Sequence, residues 1–375
     1  MHWIWELPDW PHFTYTPGVI DEQERRFLLE AGQLHGYLAH LNTKDIDWLT
    51  VETLTEEAMN TAHIEGEILN RDSLRSSLLN HLGLSRQRVN QTGAETGMTR
   101  LMMSVYRDFK APISHDTLNE WHLMLTVSRR DLMQVGSYRS TSDPMQIVSG
   151  YASRRHVHYE AVPTKQVMPE MDAFIQWVNA SEMTLAPLTR AALAHLYFEC
   201  IHPFEDGNGR IGRALVDKIL AQTLGRATLI SLSRIIEMDK KTYYAALEKQ
   251  NHSLAIDDWL RYFASVVIDA QRYTHQLVNF LINKAKLFER LAAGANERQL
   301  KVIKRLSKAG PAGFKGGLSA KNYIRIAQTT ASTATRDLQD LVEKGILKRE
   351  GERKGARYYL VQIQPDENGQ SPTPP

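Results

Sequence analysis

The chain reads as a mainly α-helical protein carrying two small β-hairpins, and three observations lead there. Apolar residues recur at helical spacing, as in Phe27, Leu28, Leu34, Leu38 and Leu41, or Ile211, Leu215, Ile219 and Leu220. Between Gly136 and Pro163, β-forming residues flank a Ser149-Gly150 turn, which predicts a hairpin. Residues 296–361 compress helices and two short strands into one small module.

Taken in order, residues 1–19 form an aromatic, proline-punctuated arm whose tryptophans are expected to dock onto the main body. Asp21 to Leu41 is an amphipathic helix and Asp47 to Leu69 continues in that style, so residues 1–110 read as an N-terminal helical domain. Residues 111–290 form the next domain, helical except for the break in which Gln146, Ile147 and Val148 lead into the turn and Val157, Tyr159 and Val162 return. His156 and His158 share one face of the return segment, and His195 precedes Glu199 by one helical turn. No further cysteine or histidine set completes four ligands, so no zinc site is predicted.

In residues 296–361, Gln299 to Leu306 and Ser319 to Ala327 are helices, and a third starts at Thr329 and runs to Gly345. Ile346–Glu350 and Arg357–Val361 flank a Gly-Glu-Arg-Lys-Gly turn. This module resembles a winged helix-turn-helix whose wing would be charged by Lys348, Arg349, Arg353, Lys354 and Arg357. DNA is one partner for it; packing or homodimerisation through the same fold is the other. The polar, proline-rich tail over 362–375 is expected to be disordered.

Composition narrows the setting. The net charge of +2 over 375 residues argues against a strongly basic nucleic-acid protein overall. The single cysteine, Cys200, excludes an internal disulfide and points to a reducing cytoplasm. It lies on an apolar stretch and reads as core filler. The first residues lack the features of a secretory signal, and no apolar run approaches a membrane span, so no membrane partner is expected.

The chemistry concentrates in His202-Pro203-Phe204-Glu205-Asp206-Gly207-Asn208-Gly209-Arg210-Ile211-Gly212-Arg213. A Gly-Asn-Gly turn opening a helix leaves backbone N–H groups and a helix dipole for an anion such as phosphate. Arg210 and Arg213 add guanidinium forks suited to phosphate, Asp206 offers a hard oxygen for Mg²⁺, and His202 can accept a proton near neutrality.

These residues match the Fic family signature at every fixed position, and the chain is identified as a member of that family by resemblance. The Trp-x-Trp arm also resembles the uncharacterised N-terminal domain that precedes many bacterial Fic cores. The resemblance implies a Fic-type helical core and transfer of AMP from ATP to a Ser, Thr or Tyr hydroxyl of a target protein, self-modification included. It implies His202 as general base, Asp206 as the Mg²⁺ ligand, and Gly207, Asn208 and Gly209 as the phosphate cradle. Arg210 and Arg213 would then neutralise the β- and γ-phosphates. Gln146, Ile147 and Val148 would form the flap that lays the target alongside as an added strand. Tyr243 and Tyr244 fall where the family places its adenine-facing helix, either against the base or in the core, and Asn251 is a weaker adenine or ribose contact.

Thr61-Ala62-His63-Ile64-Glu65-Gly66 resembles the family's inhibitory pattern, in which a glutamate pairs with the last motif arginine. Here Thr61, Glu65 and Gly66 fill the fixed positions, so Glu65 is expected to occupy Arg213 and restrain the transfer. Two other readings stay open on the same residues. One is removal of AMP, with Glu65 positioning water; the other is a winged-helix regulator in which the Fic core senses a nucleotide.

Overall fold

The computed structural model describes residues 2–86, 90–149, 156–292, 294–307, 314, 316–352 and 355–361. Arg353, Lys354, Gly150 and the 362–375 tail therefore lie outside the described residues. Cα packing divides the chain into two units, Met1–Thr274 and His275–Pro375, each with its own apolar core.

The first unit opens with helices α1 (Asp21–Ala39), α2 (Thr43–Ile64), α3 (Arg71–His81), α4 (Gly93–Arg107) and α5 (His115–Thr126). Four of these starts are written in the sequence. Asn42, Asn70, Thr92 and Ser114 each accept the backbone N–H three residues on, which satisfies a donor the helix itself leaves unpaired. The antiparallel hairpin follows as β1 (Gln146–Ser149) and β2 (His156–Glu160). Then come α6 (Thr164–Ala180), α7 (Pro187–Ile201), α8 (Asn208–Leu224), α9 (Leu232–Met238), α10 (Lys240–Gln250) and α11 (Asp257–Ala292), in which the boundary between the units falls.

The helices of residues 20–110 and those around the motif share one apolar core, from Ile4 to Ala270. Its centre is α7, where every residue but Glu199 is buried. A helix buried on all sides belongs in the middle of a bundle, and α8 packs directly on it. The approach is close: a Cβ on Gly212 would lie 2.5 Å from Glu199 Oε1.

Two sequence expectations shift. The helix predicted over Asp47–Leu69 ends at Ile64, because Gly66 takes a left-handed φ of +81° that a continuing helix cannot accommodate. On α1, Leu28 is 47% exposed and Glu24 takes the inner face. Glu24 does so because α7 begins with unpaired N–H groups: its carboxylate accepts from Leu188 N at 3.0 Å, and from Thr189 N at 2.7 Å and Oγ1 at 2.9 Å. Burial pushes the Glu24 carboxyl up from its usual range, against these hydrogen bonds. Glu24→Ala strands buried donors at the head of the central helix. It is expected to destabilise the protein by about 1–3 kcal/mol, read from the urea midpoint at unchanged slope.

The aromatic arm is docked. Trp3 stacks on His252 at 4.9 Å, Trp5 Nε1 donates to the Glu160 carbonyl at 2.7 Å, and Trp10 meets Tyr197 edge-on at 5.2 Å. Indole carries a large apolar body and one donor, and both are used here.

The second unit contains α12 (Glu297–Ser307), α13 (Ala320–Ala327), α14 (Ala331–Glu343) and an antiparallel pair, β3 (Leu347–Glu350) and β4 (Arg357–Leu360). Val302, Ile303, Leu306, Tyr323, Leu338 and Leu341 form its core. Asp337 is its polar hub, accepting from Asn296, Arg298 and Tyr323 Oη. Lys348 and Arg349 project from β3 into solvent, and Lys348 pairs with Glu350 at 3.2 Å. No helix among the described residues is long and apolar enough to cross a membrane.

Candidate active site

The site is built where α7 stops and α8 starts. His202 ends α7 in the left-handed region at φ 50°, a conformation uncommon outside glycine, which turns the chain sharply out of the helix. Gly207, at φ +87°, turns it back into α8. Asn208 and Gly209 are already the first helical turn, so Gly207 alone of the Gly-Asn-Gly trio needs positive φ. No side chain caps α8, which leaves its leading N–H groups and its dipole facing the loop.

Side chains hold this loop rigid. Asn208 Oδ1 accepts from Phe204 N at 2.9 Å and its Nδ2 donates to Phe204 O at 2.8 Å, so both of its polar ends clasp the loop. Phe204 is fully buried and stacks on His122 at 4.2 Å. The buried Arg139 donates to the carbonyls of His202 (2.9 Å) and Val162 and to Thr164 Oγ1 (3.0 Å). It thereby ties the motif to the base of the hairpin. A site whose supporting residues are locked in this way keeps its reacting groups aimed.

The charged groups interlock around α8. Arg213, 1% exposed, donates from Nε to Thr61 Oγ1 at 2.8 Å, and from Nη2 to Thr61 O at 3.0 Å and Glu65 Oε1 at 2.8 Å. Thr61 thus supplies two of three contacts, which gives a physical reason for a hydroxyl four residues before the glutamate. Gly209 makes the approach possible: a Cβ there would lie 2.3 Å from Glu65 Oε1. Arg210 donates to Glu67 Oε2 at 2.9 Å and to Asp206 Oδ1 at 3.1 Å. Arg129, from the segment after α5, pairs with the other oxygen of Asp206.

Burial and these pairings set the protonation states. Burial, with Arg139 adding repulsion, pushes the His202 imidazole down to about 4, so it is neutral at pH 7. Burial pushes Glu199 up to about 8. For Asp206, burial acts to raise the pKa, but Arg210, the Gly207 N–H and Arg129 outweigh it and hold the carboxyl below its usual range. An ionised, half-exposed carboxylate beside a helix N-terminus is the donor type Mg²⁺ uses together with substrate phosphates.

The remaining sequence-predicted residues separate. Tyr243 is buried, its hydroxyl 2.8 Å from His195 Nε2, whereas Tyr244 is 44% exposed and lies within electrostatic reach of Glu65 and Arg213. Asn251 is 8% exposed and donates to the His158 carbonyl at 2.8 Å, so its side chain serves the hairpin. Gln146 bonds across the hairpin to Glu160 at 2.8 Å, while Ile147 and Val148 are each 40% exposed on a strand paired on one side only. Sequence reading missed Arg129, His122, Arg139 and Glu67. They lie far from the motif at no recognisable spacing, and only folding brings them to it.

Comparison with known proteins agrees with this geometry. The family model described as Fic/DOC family matches residues 112–220, and a domain of unknown function (DUF4172) matches residues 3–84. The chain is 26% identical over 242 residues to "Protein adenylyltransferase fic-1" of Caenorhabditis elegans, covering 63% of this chain and 44% of that protein. It is 32% identical over 121 residues to "Protein adenylyltransferase Fic" of Nematostella vectensis, covering 32% of this chain and 25% of that protein. The chain thus spans less than half the length of these curated relatives. A Fic family protein from Desulfovibrio desulfuricans G20 shares the fold at a TM-score of 0.54 and 19% identity, covering 95% of this chain and 99% of the other. A Fic-domain signaling protein from Bacteroides thetaiotaomicron aligns at 0.51 and 22% identity, over 67% of this chain and 95% of the other. With a complete signature on a rigid α7–α8 turn and the Fic/DOC family model matching around it, residues 112–220 carry a Fic domain.

Proposed function

We propose that the protein transfers AMP from ATP to a hydroxyl side chain of a target protein and is restrained at rest by Glu65. The observation that carries this reading is the ion pair of the buried Arg213 with the solvent-accessible Glu65, beside a neutral His202 and an uncapped α8 N-terminus. In the proposed reaction the target hydroxyl loses its proton to His202 as its oxygen bonds to the α-phosphorus. The bond from that phosphorus to the bridging oxygen breaks, and pyrophosphate leaves. The N–H groups at the start of α8 hold α-phosphate oxygens; Arg210 and Arg213 face the β- and γ-phosphates. Positioning and charge neutralisation supply most of the rate in such displacements. Asp206 would hold Mg²⁺, which supplies charge neutralisation to the phosphates. Tyr244 is the side chain left to face adenine, with Tyr243 supporting it from the core, and the exposed edge of β1 is where a target strand would pair.

Relatives named protein adenylyltransferase support the reaction class. Incubation with ATP and Mg²⁺ followed by intact-mass measurement tests it. The Glu65→Gly protein should gain the mass of AMP on itself or on proteins of a lysate, and no gain on either would remove the reading.

The Arg129 contact adds a further expectation. Its guanidinium competes with a cation for Asp206, so Arg129→Ala should lower the Mg²⁺ concentration for half-maximal activity severalfold, on the order of 3–10-fold. An unchanged or higher Mg²⁺ requirement would show that Arg129 does not restrain the site. AMP removal is the second reading, favoured by one observation: Glu65 lies within electrostatic reach of His202, on the side where a base would activate water. Faster release of AMP from a modified partner by wild type than by Glu65→Gly would favour it. Binding of DNA by the second unit would appear as a mobility shift of the full chain that weakens steeply with salt.

A further inference from the structure

His156, His158 and Glu248 come together outside the phosphate site. The two imidazoles project from β2 and the carboxylate from α10, and one ligand atom from each lies within 4.8 Å of the other two. Glu248 Oε1 is 3.0 Å from His158 Nδ1 and 3.8 Å from His156 Nε2. The rings meet edge to face with centroids 4.6 Å apart. Ligands bonded at 2.0–2.2 Å around a tetrahedral ion sit roughly 3.3 Å from one another, so small side-chain adjustments close this set.

The backbone brings these groups into place. Across the hairpin Val148 opposes Val157 and Ile147 opposes Tyr159, which leaves His158 as the extra residue of a β-bulge. A bulge re-aims a side chain that a regular ladder would point elsewhere. The carbonyl of that same residue accepts the Asn251 Nδ2 bond at 2.8 Å, and Asn251 caps the end of α10. The bulge is thereby fastened to the helix that carries Glu248, whose ion-pair partners among the described residues are these two histidines. The sequence shows the two histidines but not the third ligand, which arrives from 90 residues away.

We propose that His156, His158 and Glu248 bind a divalent transition-metal ion of the zinc class, with water completing the coordination. Two imidazoles and one carboxylate suit zinc, nickel or copper, whereas Mg²⁺ and Ca²⁺ prefer all-oxygen sets. The side chains are 67%, 31% and 48% exposed, so an ion can enter from solvent. Once bound, it joins β2 to α10 and should stiffen the hairpin. The site is independent of the nucleotide chemistry proposed for His202.

The test uses the full chain, free of any affinity tag and stripped with chelator. Zn²⁺ titrated by calorimetry should bind one ion through this set, and Co²⁺ at the site should show absorption of a low-coordinate nitrogen–oxygen complex. His156→Ala and Glu248→Gln should each weaken binding more than about tenfold, since even residues that only orient a ligand cost that much. Both positions are at the surface, so their melting temperatures without metal should equal wild type. Substituting the exposed His35 on α1 and His40 just after it should change nothing, and Zn²⁺ should slow amide exchange at 156–160. Absence of stoichiometric binding by wild type would overturn the proposal. So would unchanged affinity in His156→Ala and Glu248→Gln, which would mean Zn²⁺ binds elsewhere.

Discussion

Replacing Glu65 by glycine is expected to raise AMP transfer by at least about 10²-fold, a factor that misplacing a reacting group by about 1 Å can account for. At rest Arg213 uses Nη2 on Glu65 and on the Thr61 carbonyl, and Nε on the Thr61 hydroxyl. Removing the carboxylate leaves the guanidinium, 1% exposed, aimed by Thr61 but deprived of its ion-pair partner, with the buried Glu199 and Glu57 as the acidic groups still in electrostatic reach. A buried cation without a partner is unfavourable, and triphosphate oxygens are the anions that relieve it. Two readouts should therefore move together. The rate at matched ATP and Mg²⁺ rises, and the ATP-induced increase in melting temperature becomes larger than in wild type, because ligand binding stabilises only the form it binds. Glu67→Gln should give a smaller increase, since Arg210 keeps Asp206 at 3.1 Å and the Glu67 side chain is 31% exposed. Equal rates for wild type and Glu65→Gly would remove the brake.

The difference between these two glutamates shows what the sequence could and could not reveal. Glu65 was legible because Thr61 and Gly66 flank it, and each flank has a physical role in the fold. The Thr61 hydroxyl accepts from Arg213, and Gly66 ends α2 at φ +81°. Glu67 carries no such flanks, and nothing in its neighbourhood announces a partner at Arg210. The same division runs through the fold. Helix starts at Asn42, Asn70, Thr92 and Ser114 follow from capping chemistry that acts over three residues, and sequence displays it. The cap on α7 comes from Glu24, 164 residues away, and no local pattern records it. Leu28 lies just outside the buried stripe of α1, which runs through Glu24, Phe27, Ala31 and Leu34, and helical spacing alone does not show where that stripe ends. Local rules thus read the motif loop well, while the residues that hold it, Arg139 and His122, are visible only once the chain has closed on itself.

His202 is where loss should be largest. Removing a positioned general base typically costs 10²–10⁴-fold, so in the Glu65→Gly background the substitution should return AMP transfer close to the detection limit. The choice of variant matters, because His202 sits at φ 50°, where alanine is strained. Asparagine tolerates the left-handed region, so His202→Asn should keep the turn and the melting temperature while losing the base. A loss shared by His202→Asn and His202→Ala then reports chemistry, and retained transfer in His202→Asn would exclude His202 as base. The pH profile supplies a second sign. Burial places the His202 pKa at about 4, below the ordinary imidazole value, because the charged form is the one disfavoured. Its base form is therefore fully present from about pH 6 to 8, and is lost only as pH falls through about 4. Removing Glu65 takes away a negative charge that raises the His202 pKa, so in Glu65→Gly the acid limb should move further down. The value of kcat/KM for ATP, which reports the free enzyme, should accordingly stay level across the range where an exposed histidine, titrating near about 6.5, would already have halved it. An acid limb centred near 6.5 would mean that the imidazole accepting the proton is not held in the buried setting found at the end of α7.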